Sequence, residues 1–281
     1  MKKITVNENG RLLTFLKTHF SPKFSTRDLH FSLDHNRCRV NGKIERFASS
    51  SLKKGEVVSF FPVKPPQFSL DPPRVLFEDS HLLLYNKPPG ISSPDLAKKL
   101  GFLLVHRLDR DTTGLFLLAK TPQAQERLQD LFRQRRCVKE YVAFVEGTPT
   151  STGLFKGKME IASRREGAVK WKVTSSPKGL FSQTSWESLE SKKNTSLLLC
   201  RPLTGRTHQI RVHLSHIGHP ILGDVDYGKK DPPPRFFRPH LHAYSLLFPH
   251  PFTQENLSIQ TPPPEDFLEN ITSLGYRYSF T

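Results

Sequence analysis

Five prolines, Pro62, Pro65, Pro66, Pro72 and Pro73, fall within a dozen residues and divide the chain into a short first part and a long second one. Proline fixes φ and donates no backbone hydrogen bond, so so dense a stretch favours extended, semi-rigid chain over helix or central strand. The spacing predicts an interdomain linker over residues 63–73, between a small domain at 1–62 and a larger one at 74–281. Later clusters (Pro232 to Pro234, Pro249 and Pro251, Pro262 to Pro264) lie too close together to enclose another domain and predict surface loops. No internal repeat is visible.

Charge is unequal across this seam. The chain of 281 residues carries a formal +16. Residues 1–62 hold 12 Lys/Arg against 5 Asp/Glu, a net +7, and residues 63–281 hold 30 against 21, a net +9. A surplus of this size points to a polyanionic partner, either nucleic acid or an acidic membrane surface. The membrane reading is the weaker, because no basic amphipathic helix with a bulky apolar face stands out. The start, MKKITVNENGR, has no apolar stretch behind its lysines, so no secretory signal is expected. The longest apolar runs, Leu115 to Ala119 and Leu197 to Cys200, are too short to span a bilayer. Cys38, Cys137 and Cys200 are odd in number and far apart, which argues against a disulfide framework and for a reducing interior. These features predict a cytoplasmic protein.

In the first part, Leu12, Leu13, Leu16 and Phe20 recur at helical spacing. Ser25 with Asp28 three residues on predicts a capping box opening a second helix that carries Leu29 and Leu33. Asn41-Gly42 between Arg39-Val40 and Lys43-Ile44 predicts a hairpin, and Glu56 to Phe61 a closing strand. With Lys23, Arg27, Arg37, Arg39, Lys43 and Arg46 nearby, this plan resembles the S-four-type RNA-binding domain over about fifty residues. The resemblance assigns RNA contact to Lys23, Arg27, Arg39 and Lys43. The same pattern also suits a small α+β module without a ligand.

The second part alternates apolar runs with turn residues. Val75 to Tyr85, Leu115 to Ala119, Tyr141 to Val145, Ser196 to Arg201 and His208 to Leu214 are predicted strands. Pro122 to Arg135 is a predicted helix, capped by Thr121, with Ala124, Leu128, Leu131 and Phe132 on one face. Few helices and many strands predict an α+β fold around a large mixed, mainly antiparallel sheet.

The chemistry concentrates in His106-Arg107-Leu108-Asp109-Arg110-Asp111-Thr112-Thr113-Gly114, directly before an apolar strand. Glycine and threonines let such a loop hold a fixed shape, and flanking arginines favour an ionised carboxylate. A held, ionised aspartate can act as a nucleophile or stabilise positive charge on a sugar. The same composition also suits a surface turn with local ion pairs.

The stretch HRLDRDTTGLFLLAKT is similar to the signature of the RluA-type family of RNA pseudouridine synthases, H-R-L-D-x-x-T-S-G before an apolar strand, with Thr113 in place of serine. Three further blocks resemble the family's motifs in the family's order: Asn86-Lys87-Pro88-Pro89-Gly90, then Lys139-Glu140-Tyr141 with the strand to Gly147, then Leu203 to His213 running on to Gly218–Asp224 and Tyr227-Gly228. Only 15 residues, Ile91 to Val105, separate Gly90 from His106, fewer than in many members with the same first module. That segment usually helps to line the RNA face, so its shortness bears on substrate choice.

The resemblance implies an isomerase that turns uridine into pseudouridine without a cofactor or metal, acting as a monomer. It matches Asp109 to the aspartate that attacks the target uridine. It matches Tyr141 to the residue that stacks on the uracil and takes the proton from ring carbon 5, and Arg211 to the basic residue that pairs with the aspartate. Ile210 would form the apolar floor under the base. Arg107 would contact RNA or fill the gap left by the extruded nucleotide, and Arg206 would contact phosphate or support its loop. Pairing with an S-four-type module resembles enzymes acting on large-subunit ribosomal RNA. Transfer RNA is an alternative substrate, and an inactive RNA-binding or ribosome-assembly factor is an alternative of another class. The spacing of the other titratable residues does not favour the remaining chemistries. His208, His213, His216 and His219 with Asp224 and Asp226 match no zinc spacing. Asp109 and Asp111, two apart in one loop, are poorly placed for a glycosidase pair. Asp111 itself is expected to be solvated, and the run Arg133 to Arg136 suits a helix C-terminus as well as RNA.

Overall fold

The computed structural model describes residues 2–64, 74–165, 168–229, 233 and 235–280. The chain forms two compact units, residues 1–67 and 68–281. Most of the predicted linker, 65–73, and Pro232 and Pro234 lie outside the described residues.

The first unit runs β1 (Lys2–Thr5), β2 (Gly10–Arg11), α1 (Leu12–Phe20), α2 (Thr26–Asp34), β3 (Cys38–Val40), β4 (Lys43–Ile44), β5 (Ser51–Leu52) and β6 (Val57–Phe60). Leu12, Leu16 and Phe20 recur every fourth residue, so one face of α1 is apolar and buried. Ser25 caps α2 reciprocally: its side chain accepts from the Asp28 N–H, and the Asp28 carboxylate accepts from the Ser25 N–H. The two helices share a core with Cys38, Val58 and Phe60 from a small sheet ordered β1-β6-β3-β4 and with Leu52 of β5, which pairs with β2.

The second unit runs β7 (Val75–Glu78), β8 (Leu82–Lys87), α3 (Ser93–Leu100), β9 (Leu103–Leu104), β10 (Thr113–Ala119), α4 (Pro122–Arg133), β11 (Val138–Glu146), β12 (Thr152–Arg165) and β13 (Ala168–Thr174). It continues with β14 (Leu180–Lys192), β15 (Thr195–Pro202), α5 (Gln209–His216), β16 (Leu241–Pro249), β17 (Asn256–Gln260) and α6 (Glu265–Ser273). Its strands form one sheet ordered β13-β12-β14-β15-β11-β16-β10-β8-β7, with β17 on β16 and β9 on β10. Every pairing is antiparallel except β10 with β16. The fold is therefore α+β with a mixed, mainly antiparallel sheet.

Period-two alternation sorts side chains to the two faces of this sheet. On β11, Tyr141, Ala143 and Val145 join a core with Leu96 of α3, Leu128 of α4 and Ile210 and Leu214 of α5. The residues between them, Val142 and Phe144, pack on the other face with Phe267 and Ile271 of α6.

Three sequence expectations change. Val75 to Tyr85 is a hairpin rather than one strand, because the Asp79 carboxylate accepts the backbone N–H groups of His81 and Leu82 and so turns the chain. The helix at 122 ends at Arg133. His208 to Leu214 is helix, not strand: α5 buries every residue from Gln209 to Leu214, so no solvent face is left to show a helical period.

Candidate active site

Two neighbouring strands bring the motifs together. Thr113 and Gly114, at the start of β10, lie in parallel register with His242 and Ala243 of β16. On the other side of β16, Tyr141 and Val142 pair with Ala243 and His242. Glu140 pairs with Ser245 and Tyr141 with Ala243, so Tyr244 is the extra residue of a bulge. The aspartate loop and Tyr141 are thus both referenced to the same two residues. Gly114 makes this approach possible: its φ is +105°, and a Cβ there would stand 2.2 Å from the Ala243 carbonyl oxygen. Beside it the Thr113 hydroxyl donates to His242 Nδ1 at 2.8 Å, while His242 Nε2–H donates to the Thr261 carbonyl at 2.9 Å. Burial holds this imidazole neutral, with its pKa pulled down to about 3, which leaves Nδ1 free to accept.

The loop itself is anchored from several sides. Ser93, in the first turn of α3, accepts from the Leu108 N–H and donates to the Leu108 carbonyl, both at 2.9 Å. The His106 ring stacks on Phe132 and accepts the Leu117 N–H at 3.0 Å. Burial lowers its pKa to about 3, so it stays a neutral acceptor. The Lys87 ammonium donates to the carbonyls of Pro88, Arg110 and Thr112 at 2.9, 2.8 and 3.0 Å. The Gly90 N–H reaches the Arg110 carbonyl and the Asp111 carboxylate. Arg238, itself paired with Asp266, donates to the Asp111 carbonyl. Asp111 is therefore a half-buried part of this frame, not the solvated side chain expected: the turn at Lys87–Gly90 delivers a backbone donor to it.

Asp109, at the tip, is 21 % exposed and lies 3.4 Å from Arg211 Nη1. Arg211 projects from α5 and is 7 % exposed. Its Nε and Nη2 form a two-point pair with the fully buried Asp224 carboxylate at 2.7 and 2.9 Å, and Nη2 also donates to Asp226 at 3.0 Å. Asp224 accepts in turn from the backbone N–H groups of Asp226 and Tyr227. Arg211 stands 5.1 Å from the centre of the Tyr227 ring. Asp224 and Asp226 thus clamp a guanidinium, which is a different use of the oxygens from the metal ligation considered above.

Asp109, Tyr141 and Ile210 line a cleft of about 680 Å³ together with Arg107, Arg206, His208 and Leu241. Its charged walls are otherwise basic: Arg107, Arg133, Arg135, Lys139 and Arg206 face one carboxylate, Asp109. Arg107 is exposed, and Arg206 is exposed with its Nε donating to the Phe181 carbonyl at 3.2 Å. Burial, and after it the charge of Asp109, raise the Tyr141 phenol pKa, so the phenol is neutral. Arg133 also pairs with Asp130 within the last turn of α4.

The four remaining predicted residues belong to the first unit. Lys23, Arg27 and Lys43 are exposed, and Arg39 is half-buried and bonds the Gly42 carbonyl. Arg37, in the same basic group, is buried. The sequence motifs include Lys87 and Tyr227 without a task and Asp224 only as a candidate metal oxygen, and carry no signal for Ser93, Arg238 and His242.

Among the described residues no helix is long and apolar enough to cross a membrane. Residues 64–216 match the RNA pseudouridylate synthase family. The chain is 30 % identical over 311 residues to ribosomal large subunit pseudouridine synthase D of Pasteurella multocida, covering 98 % of this chain and 95 % of that protein. It is 30 % identical to the protein of the same name from Escherichia coli, covering 95 % and 92 %. The solved structure of human RNA pseudouridylate synthase domain containing 4 is similar, with a TM-score of 0.58 and 28 % identity, over 71 % of this chain and 92 % of that one. With the match covering more than half of its length and the aspartate loop, the tyrosine strand and α5 converging on one cleft, the chain belongs to the RNA pseudouridylate synthase family.

Proposed function

We propose that this protein isomerises uridine to pseudouridine in large-subunit ribosomal RNA, with Asp109, Tyr141 and Arg211 as the reacting group, the stacking residue and the counter-charge. The observation that carries the reading is a single carboxylate, Asp109, in a cleft whose other charged walls are cationic. Cations attract the phosphate backbone, while one fixed anion is reserved for the base or its sugar.

The reaction breaks the bond from C1′ to N1 and forms one from C1′ to C5. C5 loses a proton and N1 gains one, so no redox change or external energy is needed. The nucleotide must leave the RNA stack, at a cost of a few kcal/mol that stacking in the pocket offsets. In this reading Arg107 takes the space the nucleotide vacates. Tyr141 and Ile210 hold the uracil between them while it turns, and their burial keeps water from capturing it. Arg211 holds its guanidinium 3.4 Å from the Asp109 carboxylate as a counter-charge. Once Asp109 forms its bond its charge is gone, which removes one of the two causes holding the Tyr141 phenol protonated. Burial remains, so the phenol passes its own proton to N1 as it takes the one from C5, and both transfers follow attack.

The first unit supplies attachment in this reading. Lys23, Arg27, Arg39 and Lys43 would track RNA phosphates as an S-four-type domain in residues 1–62, and Arg206 would add a phosphate contact beside the cleft. The protein would act as a cytoplasmic monomer, without cofactor. Two comparisons test the assignment. Pseudouridine should form at a discrete uridine in large-subunit ribosomal RNA transcripts incubated with the purified protein; formation in transfer RNA alone would overturn the substrate. Removing residues 1–62 should weaken RNA binding and flatten its dependence on salt, because fewer counterions are released. An unchanged slope would remove the first unit from RNA attachment.

A further inference from the structure

His208 lines the cleft, yet the reaction as described leaves it without a task. It sits at the N-terminal boundary of α5 with φ 57° and ψ 18°, a left-handed conformation that a non-glycine residue adopts only when its surroundings impose it. Its hydrogen bonding then fixes which nitrogen carries the proton. Nδ1 lies 2.8 Å from the Tyr227 hydroxyl, and that hydroxyl accepts the Trp171 backbone N–H at 2.9 Å. The Tyr227 hydroxyl proton has no other acceptor among the described residues, so it is donated to Nδ1, which places the ring proton on Nε2. Nε2 reaches no acceptor among the described residues of the protein. The Tyr227 ring is in turn held beside Arg211, so the imidazole is fixed against the same frame that orients Asp109.

We infer that His208 is a further substrate-contacting residue, a neutral imidazole whose Nε2–H donates a hydrogen bond to an oxygen of the bound nucleotide. The inference rests on the cleft being the uridine site. Two features support a donor that does not titrate in the working range. Burial, chiefly, lowers the His208 pKa below its ordinary value. The charged groups facing the ring include both signs: Asp109, Asp224 and Asp226 favour protonation and Arg211 opposes it. A neutral N–H recognises a carbonyl or phosphate oxygen without adding a cation that would compete with Arg211 for Asp109. Uracil carbonyl and phosphate oxygens share this acceptor chemistry.

Imidazole nitrogen NMR of the full-length protein, with labelled histidine and His208→Gln used for assignment, reads the free state. His208 should show the neutral form with Nε2 protonated. In Tyr227→Phe, which keeps the ring but removes the hydroxyl, Nδ1 protonation should become detectable and the pKa should rise toward about 6.5. A charged ring at neutral pH, or Nδ1 protonation in the wild type, would overturn the inference whether or not the protein is active. Single-turnover assays on an RNA that the wild type modifies supply the second arm. His208→Phe should raise the half-saturating RNA concentration about tenfold with the limiting rate within about threefold, a donor's share of binding. His208→Gln, with an N–H near the Nε2 position, should recover most of that loss. Equal affinity in all three proteins would exclude the contact. Inactive wild-type protein would instead overturn the proposed function. RNAs carrying 2-thiouridine, 4-thiouridine or a phosphorothioate at the target separate carbonyl from phosphate as acceptor: only the modification at the contacted oxygen should erase the difference between His208→Phe and wild type.

Discussion

Replacing Asp224 with asparagine tests how Arg211 comes to be poised beside Asp109. The carboxylate is fully buried and gives Arg211 two short bonds, at 2.7 and 2.9 Å, while accepting two backbone N–H groups. Asparagine keeps one acceptor oxygen but turns an NH₂ toward a guanidinium N–H and removes a full negative charge. Removing one partner of a buried ion pair costs about 3–5 kcal/mol. Here Asp226 still faces Arg211, so the lower end, about 3 kcal/mol, is expected. Arg211 then shifts toward Asp226 and away from Asp109, and a displacement of about 1 Å at a reacting constellation costs on the order of a hundredfold in rate. Urea unfolding with an unchanged slope gives the first quantity, and single-turnover pseudouridine formation gives the second. Asp226→Asn is the internal control: its carboxylate is 21 % exposed, so it should cost less than about 1 kcal/mol. The reasoning is refuted if Asp224→Asn keeps activity within threefold of wild type, or if Asp226→Asn costs more stability than Asp224→Asn.

Other expectations follow from the same frame. Gly114→Ala would set a Cβ 2.2 Å from the Ala243 carbonyl oxygen, so β10 must move by about an ångström and carry Asp109 with it; activity should fall about a hundredfold while RNA binding persists, and retention of full activity would show that the β10–β16 approach is not required. Burial draws the Lys87 pKa down to about 7, far below its unfolded value, so between about pH 7 and 10 the unfolded chain binds the extra proton. Relative to Lys87→Met, wild-type stability should therefore rise with pH across that window, by up to about 1.4 kcal/mol per unit, and paired denaturation curves would reveal a flat difference if the ammonium is not desolvated. His106, His213, His240 and His242 are held neutral by burial, with pKa values pulled down to about 3 or 4. Their contribution is complete above about pH 6.5 and is lost as pH falls toward 4, so the second unit should unfold steeply in that range; a shallow acid transition would argue against four buried neutral rings.

What could be read from the chain beforehand depended on the range of the interaction. The α2 capping box, the α4 cap and the apolar stripe of α1 are set by neighbours within four residues, and the sequence patterns locate them closely. The aspartate loop was legible as a glycine-terminated turn with arginines. Its anchors were not, because Ser93 of α3, Arg238 before β16 and His242 of β16 reach it by side-chain hydrogen bonds across distant parts of the chain, which no local period encodes. Asp224 looked like one more oxygen near histidines; only the fold brings it under Arg211. Helix α5 is not legible in the sequence because Ile210, Val212 and Leu214 alternate as in a strand, while complete burial hides the helical period. The bonding of Asp111 is not legible in the sequence because its partner, the Gly90 N–H, lies in a different motif.

The most direct test of the central claim is pseudouridine mapping of large-subunit ribosomal RNA incubated with purified wild-type protein and with Asp109→Asn. The wild type should convert a discrete uridine, and Asp109→Asn should bind the same RNA with similar affinity yet leave that uridine unchanged. Appreciable conversion by Asp109→Asn would contradict the account at its centre.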